Sequence, residues 1–180
     1  MSIDKSSKLI SAAGRIKMKV TALFAAAILT CSLALWARSN DAVPYPANYR
    51  QWTRVKSALV GPQSSAFENN GGIHHVYAND KAMAGYHTGK FPDGSVIVAD
   101  FLETKDSDNA PGVTREGSRR RIDVMLKESN RYAETGGWGF ESFRGDSQSD
   151  RMVVAGGAAK CFACHAKQKE HDAVFSTYRQ

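Results

Sequence analysis

Hydrophobic and polar positions divide the chain into a long apolar run near its start and a middle rich in short extended segments. Residues 20–36 are apolar apart from Thr21, Thr30, Cys31 and Ser32. Further on, Tyr49, Trp52, Val55 and Leu59 fall near helical spacing, with Arg50, Arg54 and Lys56 off that stripe. This predicts a helix that packs through Tyr49 and Trp52 and stops at Gly61-Pro62. Gly71-Gly72 opens a short strand over 73–78, and Asn79-Asp80 caps a helix that turns Ala82, Met83 and Tyr86 inward and closes at Gly89. A turn over 91–94 leads into the clearest strand, residues 95–103, S-V-I-V-A-D-F-L-E. Residues 105–117 are polar, carry Pro111-Gly112 and read as an exposed loop.

Arg119-Arg120-Arg121 invites a nucleic-acid reading, but an edge strand whose charges face water and deter pairing accounts for it more simply. That strand continues over 122–126. A short helix over 127–134, a turn at Gly136-Gly137 and a strand over 138–143 follow, and 152–169 is helical in composition apart from Gly156-Gly157. Four strands joined by short connections and three or four helices predict an α+β fold. It is a mostly antiparallel sheet with a few helices, one of them at the C-terminus.

Lys5, Lys8, Arg15, Lys17 and Lys19 precede the apolar run, the arrangement of a secretory signal peptide over residues 1–42 or of an N-terminal membrane anchor. Met18 is an alternative start, and Ala42 is the favoured cleavage position. Residues 43–180 are then a single exported, periplasmic domain. Removing the leader lowers the net charge from +6 to +2, since 18 Lys and Arg face 16 Asp and Glu after Ala42. The basic balance therefore gives no argument for a nucleic-acid partner. Cys31 leaves with the leader, so two cysteines remain.

Those two belong to Cys161-Phe162-Ala163-Cys164-His165, a C-x-x-C-H run. Two thiols three positions apart lie on one side of a helical turn with an imidazole beside them. Such a set bonds the two vinyl groups of a haem and places a ligand, here His165, on its iron. A disulfide, a thioredoxin-like redox pair and half of a zinc site are the competing readings of a bare C-x-x-C. No second C-x-x-C is present to complete a zinc site. A thioredoxin-like pair should follow an early strand, and this one lies near the end. The position also argues against two common haem c folds. Small electron carriers place the motif near the N-terminus with a methionine ligand downstream, whereas here 15 residues follow His165 and none is Met. Four-helix cytochromes need four long amphipathic helices, which the strand at 95–103 and the glycines around Trp138 contradict.

Tyr49-Arg50-x-Trp52, His75-Val76-Tyr77, Gly89-x-Phe91-x-Asp93-Gly94-Ser95-Val96, Lys127-Glu128-Ser129, Gly137-Trp138-Gly139-Phe140 and the terminal C-x-x-C-H occur in that order. In this ordered set the chain resembles the cytochrome P-460 family, which includes the cytochromes c′-beta. The resemblance implies one covalently attached haem c, a five-coordinate iron and a homodimer. In the members that oxidise hydroxylamine, a lysine after the D-G-T/S turn is bonded to the haem edge. The corresponding position here is Ala99, and Lys90 and Lys105 flank this strand region. By the same resemblance His74 and Asp123 take the places of a basic residue near the iron and of a carboxylate that accepts substrate protons. Their bland reading is a hydrogen-bonded strand histidine and an arginine-paired aspartate.

Neighbouring strand residues face opposite ways, so at most one of His74 and His75 faces the haem, while Phe101 shares a face with Ala99. Three functions follow as expectations. One is a haem c protein binding nitric oxide or a similar small nitrogen-oxide ligand and exchanging electrons with a redox partner protein. The second is an enzyme oxidising hydroxylamine or nitric oxide. The third is a six-coordinate electron carrier with His74 or His75 on the iron.

Overall fold

A computed structural model describes residues 42–179. The leader expected over 1–42, with Cys31, lies outside the described residues but for Ala42. Among the described residues no helix is long and apolar enough to cross a membrane.

Five antiparallel strands pair in chain order: β1 (Thr53–Val60), β2 (Gly72–Ala78), β3 (Val96–Asp106), β4 (Thr114–Lys127) and β5 (Trp138–Arg144). Three helices accompany them, α1 (Phe67–Asn70), α2 (Asp80–Thr88) and α3 (Gly157–His165). This is the α+β architecture expected, with the motif-bearing helix near the C-terminus. Helix α2 starts where its sequence says it should, because the Asn79 side chain accepts from the Ala82 amide at 2.9 Å. It ends at Gly89, whose φ of 79° few side chains tolerate.

Several elements differ from expectation. The helix predicted from Tyr49 to Leu59 is a single 3-10 turn, Tyr49–Gln51, followed by β1. Strand β1 sits at the sheet's edge and buries only Val55, so its side chains carry no period-two signal and the Trp52–Val55–Leu59 spacing imitates a helix. Tyr49 and Trp52 still pack onto the domain. The polar loop shrinks to residues 107–113, because Thr104↔Glu116 and Lys105↔Arg115 pair as a long hairpin. The three arginines are not on an edge. Strand β4 lies between β3 and β5. Arg119 and Arg120 reach Asp100 and the Gly71 carbonyl, which strand-local sequence does not reveal, while Arg121 pairs with Asp123 on its own strand. The helix expected over 127–134 is reduced to one 3-10 turn at its end, Ala133–Thr135. Lys127 ends β4, with its ammonium buried against Asp172 (2.8 Å) and the Gly136 carbonyl (3.1 Å). Residues 152–156 are not helical, and α3 begins after Gly156 at φ 77°.

Each face of the sheet carries its own core. On one, Tyr77, Val98, Ile122, Val124, Leu126 and Phe143 pack with Val43, Tyr49 and Tyr132. On the other, Ala78, Ile97, Met125, Trp138 and Phe140 meet α2, α3 and the C-terminal tail. The second face holds the candidate site.

Candidate functional site

Antiparallel register sets the site out as rows across the sheet. His74 lies opposite Phe101, and Phe101 opposite Arg121. The next row is Val76, Ala99, Asp123 and Ser142, and the one after is Ala78, Ile97, Met125 and Phe140. Side chains two apart on each strand share this face. Above the rows lies a cavity of about 560 Å³, within the usual range for cofactor pockets. Among its lining residues are His74, Ala99, Phe101, Asp123, Cys161, Cys164 and His165, all named from the sequence. His75 points to the other face. Lys90 and Lys105 do not line the cavity, so no lysine stands where Ala99 does.

Helix α3 places Cys161, Cys164 and His165 on one side of its last turns, as i, i+3 and i+4 positions must lie. Both cysteines are free thiols, Cys161 half-buried and Cys164 exposed. Burial pushes the Cys161 thiol up, and the Asp123 charge adds to this. A redox-active pair would need the opposite shift. Among the described residues no group of three or more His, Cys, Asp and Glu side chains is gathered as a metal cluster.

After α3 the chain runs through a 3-10 segment, Ala166–His171, and turns back at Asp172 and Ala173. Both turn residues have positive φ, 49° and 64°, an uncommon state for residues with a Cβ. The turn is held by Asp172, which pairs with Lys127, accepts from the Phe91 amide (3.1 Å) and offers its carbonyl to the Trp138 indole (2.8 Å). It presents the Ala173 carbonyl to His165, whose Nδ1 donates to it at 2.8 Å. Because a carbonyl can only accept, this bond fixes the tautomer and leaves the Nε2 lone pair free. Phe140 and Phe175 hold the ring at centroid distances of 5.1 and 4.8 Å. Burial keeps this imidazole below its ordinary pKa, hence neutral. A neutral histidine with one nitrogen on a carbonyl and the other free is built as a metal ligand.

A second histidine has the same construction on another wall. His74 donates to the Asn70 carbonyl, and its Nε2 is buried with no hydrogen-bond partner among the described residues. Burial lowers its pKa, and Arg121 and Arg120 lower it further. Its ring leans on Phe101 at 4.3 Å. Asp123 takes the Arg121 Nε on both oxygens, at 2.9 and 3.1 Å, and the Ser142 hydroxyl on Oδ1 at 2.5 Å. The pocket and arginine-paired readings of Asp123 therefore hold together, since it lines the cavity and is arginine-bound. Both distal polar groups are acceptors: a lone pair on His74 and a carboxylate oxygen on Asp123.

The residues suit a haem on the chemistry of this structure. An apolar cavity floor, two thiols on one helix turn, a tautomer-fixed imidazole beside them and an orphaned imidazole nitrogen on another wall are what such a group would use. Sequence reasoning missed Ser142, Asn70, Phe140, Phe175 and the Ala173 carbonyl. Ser142 and Asn70 become visible only through strand register and the α1 turn. Phe175, an aromatic ten residues beyond the motif's histidine, is the one local hint.

The family model described as Cytochrome P460 matches residues 46–176. No curated protein matches the chain.

Proposed function

The chain belongs to the cytochrome P460 family of haem-binding cytochromes, and on that premise we propose that it carries one haem c bonded through Cys161 and Cys164. His165 would hold its iron through Nε2, and the side facing Ala99 and Phe101 would be open to a small nitrogen-oxide ligand such as nitric oxide. When bound, the haem would supply an iron able to take that ligand. The observation that carries this reading is the pairing in one cavity of a tautomer-fixed His165 with a stretch of wall, Ala99 and Phe101, that has no donor atom for a metal. His74 Nε2 beside it is the competing ligand that the test below addresses. Ala99 leaves the floor of that wall small and without an amine. Phe101 lines its outer row with an aromatic ring. The protein is exported to the periplasm, works as a homodimer and exchanges electrons with a redox partner protein.

Absorption spectra of the purified protein test this. A high-spin ferric form and a ferrous form that takes up nitric oxide are expected. Low-spin spectra in both oxidation states, unchanged by nitric oxide, would overturn it and favour a six-coordinate electron carrier with His74 on the iron.

A second reading, oxidation of hydroxylamine, draws on His74 and Asp123. Both are acceptors, so they suit a ligand that donates N–H or O–H and must lose protons. Neutral His74 takes a proton at Nε2 while Nδ1 stays on the Asn70 carbonyl. Steady-state turnover with hydroxylamine and an electron acceptor would support it if His74→Ala and Asp123→Ala each lower the rate. Absence of turnover in the wild type removes it.

A further inference from the structure

Arg121 has no part in the function proposed above, yet on the cavity face it holds four partners at once, Asp123, Asn69, Asn70 and Phe101. Its Nε donates to both Asp123 oxygens, at 2.9 and 3.1 Å. Nη1 donates to the Asn69 carbonyl and Nη2 to the Asn70 Oδ1, each at 3.0 Å. The guanidinium carbon lies 3.8 Å from the centroid of the Phe101 ring. Only 17% of the Arg121 side chain is exposed, against 35% for Asp123, so the arginine sits deeper than the carboxylate it holds.

Three nitrogens thus go to three destinations, and the plane of the group covers a fourth. Three of the four, all but the Asn69 carbonyl, share one property. Asp123 lines the cavity. Asn70 lines it too, belongs to α1, and supplies the carbonyl that fixes His74. Phe101 lines it and supports the His74 ring. A planar fork can satisfy such a set at once; an ammonium cannot, since lysine is a point charge without fixed donor directions. Arg120, by contrast, reaches only backbone, the Gly71 carbonyl at 2.7 Å and the Glu68 carbonyl at 3.5 Å.

Two donors on Asp123 Oδ1, and one longer bond on Oδ2, leave Oδ2 as the oxygen with acceptor capacity to spare. The Ser142 hydroxyl makes the difference between the two oxygens, and Arg121, bonded to both, holds the carboxylate in that orientation.

We infer that Arg121 is the positioning residue of the distal wall, setting the orientation of Asp123 and tying α1 along the cavity, and so determining how long a ligand stays bound. This rests on the reading of an open haem site in the same cavity. Arg121 touches no ligand itself. It acts through Asp123 and through the two supports of His74.

The test uses full-length haem-bearing protein and carbon monoxide on the ferrous form as the probe, because the C–O stretching frequency reports the field on the distal side. Arg121→Lys keeps the charge and loses the fork. It is expected to shift or split the C–O band and to change the carbon monoxide dissociation rate by about tenfold, the scale of a charge-assisted hydrogen bond. Asp123→Asn should change the same two quantities. In the double variant, Arg121→Lys should add little to what Asp123→Asn has already done. Asn70→Ala removes one Arg121 partner from the opposite side and should move the band in the same sense, which keeps the test alive should Arg121→Lys fold poorly. Wild-type band and rate in both Arg121→Lys and Asn70→Ala would overturn the assignment, and so would simple additivity in the double variant. If the wild type binds no carbon monoxide, the open-site reading falls, and this inference with it. Uptake with additive effects sinks the role of Arg121 alone.

Discussion

The two faces of the sheet use the same residue types to opposite ends. On the face away from the cavity, His75 bonds Ser57 through Nδ1 (2.7 Å) and Glu116 through Nε2 (2.5 Å), so both ring nitrogens are engaged. One position earlier, on the cavity face, His74 has only its Asn70 bond and keeps Nε2 free. Asp100, with a side chain 0% exposed, takes Arg119 at 2.7 Å, Arg50 at 3.2 Å and the Tyr49 hydroxyl at 2.7 Å. Asp123, on the cavity face, takes Arg121 and Ser142 and remains part of the cavity wall. A closed network locks a fold, while a network with one lone pair left over can meet a ligand. Function therefore belongs to the face where hydrogen-bonding capacity is unspent.

The largest effect available breaks the cavity face outright. Replacing Cys161 and Cys164 together by Ser should abolish covalent haem attachment, so that acidified organic solvent extracts all haem from the variant and none from the wild type. Retention of bound haem in the double variant would contradict the assignment of these thiols.

Next comes the contrast between the aspartates. Asp100→Ala leaves Arg119 and Tyr49 buried without their partner and should cost about 3–5 kcal/mol of unfolding free energy in denaturant titrations. Its ferrous ligand kinetics should match the wild type. Asp123→Ala, whose carboxylate is partly exposed, should cost less, about 1.5–3 kcal/mol, the scale of a hydrogen bond to a charged group, while altering those kinetics. Equal stability losses in the two variants would erase the distinction drawn between the faces.

The histidines sharpen the same point at smaller scale. His75→Leu strands Glu116 and Ser57 and should destabilise by about 1–3 kcal/mol, whereas His74→Leu removes an unpartnered buried nitrogen and should be within about 1 kcal/mol of neutral. Thermal unfolding of the two variants side by side decides it.

The smallest effect is one of pH. Burial, with Arg121 and Arg120, holds folded His74 below the ordinary value of 6.5, and the Asn70 carbonyl, helped by Asp123, only partly offsets this. The unfolded chain therefore binds its proton first as pH falls, and His74 draws stability down as pH drops below about 6.5. Stability measured from pH 7 to pH 5 should decline less steeply in His74→Leu than in the wild type. Parallel slopes would show that His74 is not buried as described.

Much of this is legible in the order of the residues. The C-x-x-C-H run, the period-two face shared by Ala99 and Phe101, and the opposite orientations of His74 and His75 follow from local geometry. So does α2, whose Asn79 cap and Gly89 stop are written in single residues. Strand β1 is not legible, because an edge strand with one buried residue has no period to read. Nor is the Arg119–Asp100 pair, which forms only once β3 and β4 are in register, nor the reach of Arg121 to Asn69 and Asn70 in α1. The Arg121–Asp123 pair, two residues apart on one strand face, is legible. The turn at Asp172–Ala173 is hidden for a further reason. It is imposed by Lys127, Phe91 and Trp138, which lie 34 to 81 residues away in sequence.

The central claim is that His165 holds a haem iron whose other side faces an unspent wall. Ferric and ferrous absorption spectra of the purified protein, each recorded with and without nitric oxide, test it most directly. The expected result is high-spin, five-coordinate haem that changes on adding nitric oxide to the ferrous form. Low-spin, six-coordinate spectra in both oxidation states that ignore nitric oxide would contradict it.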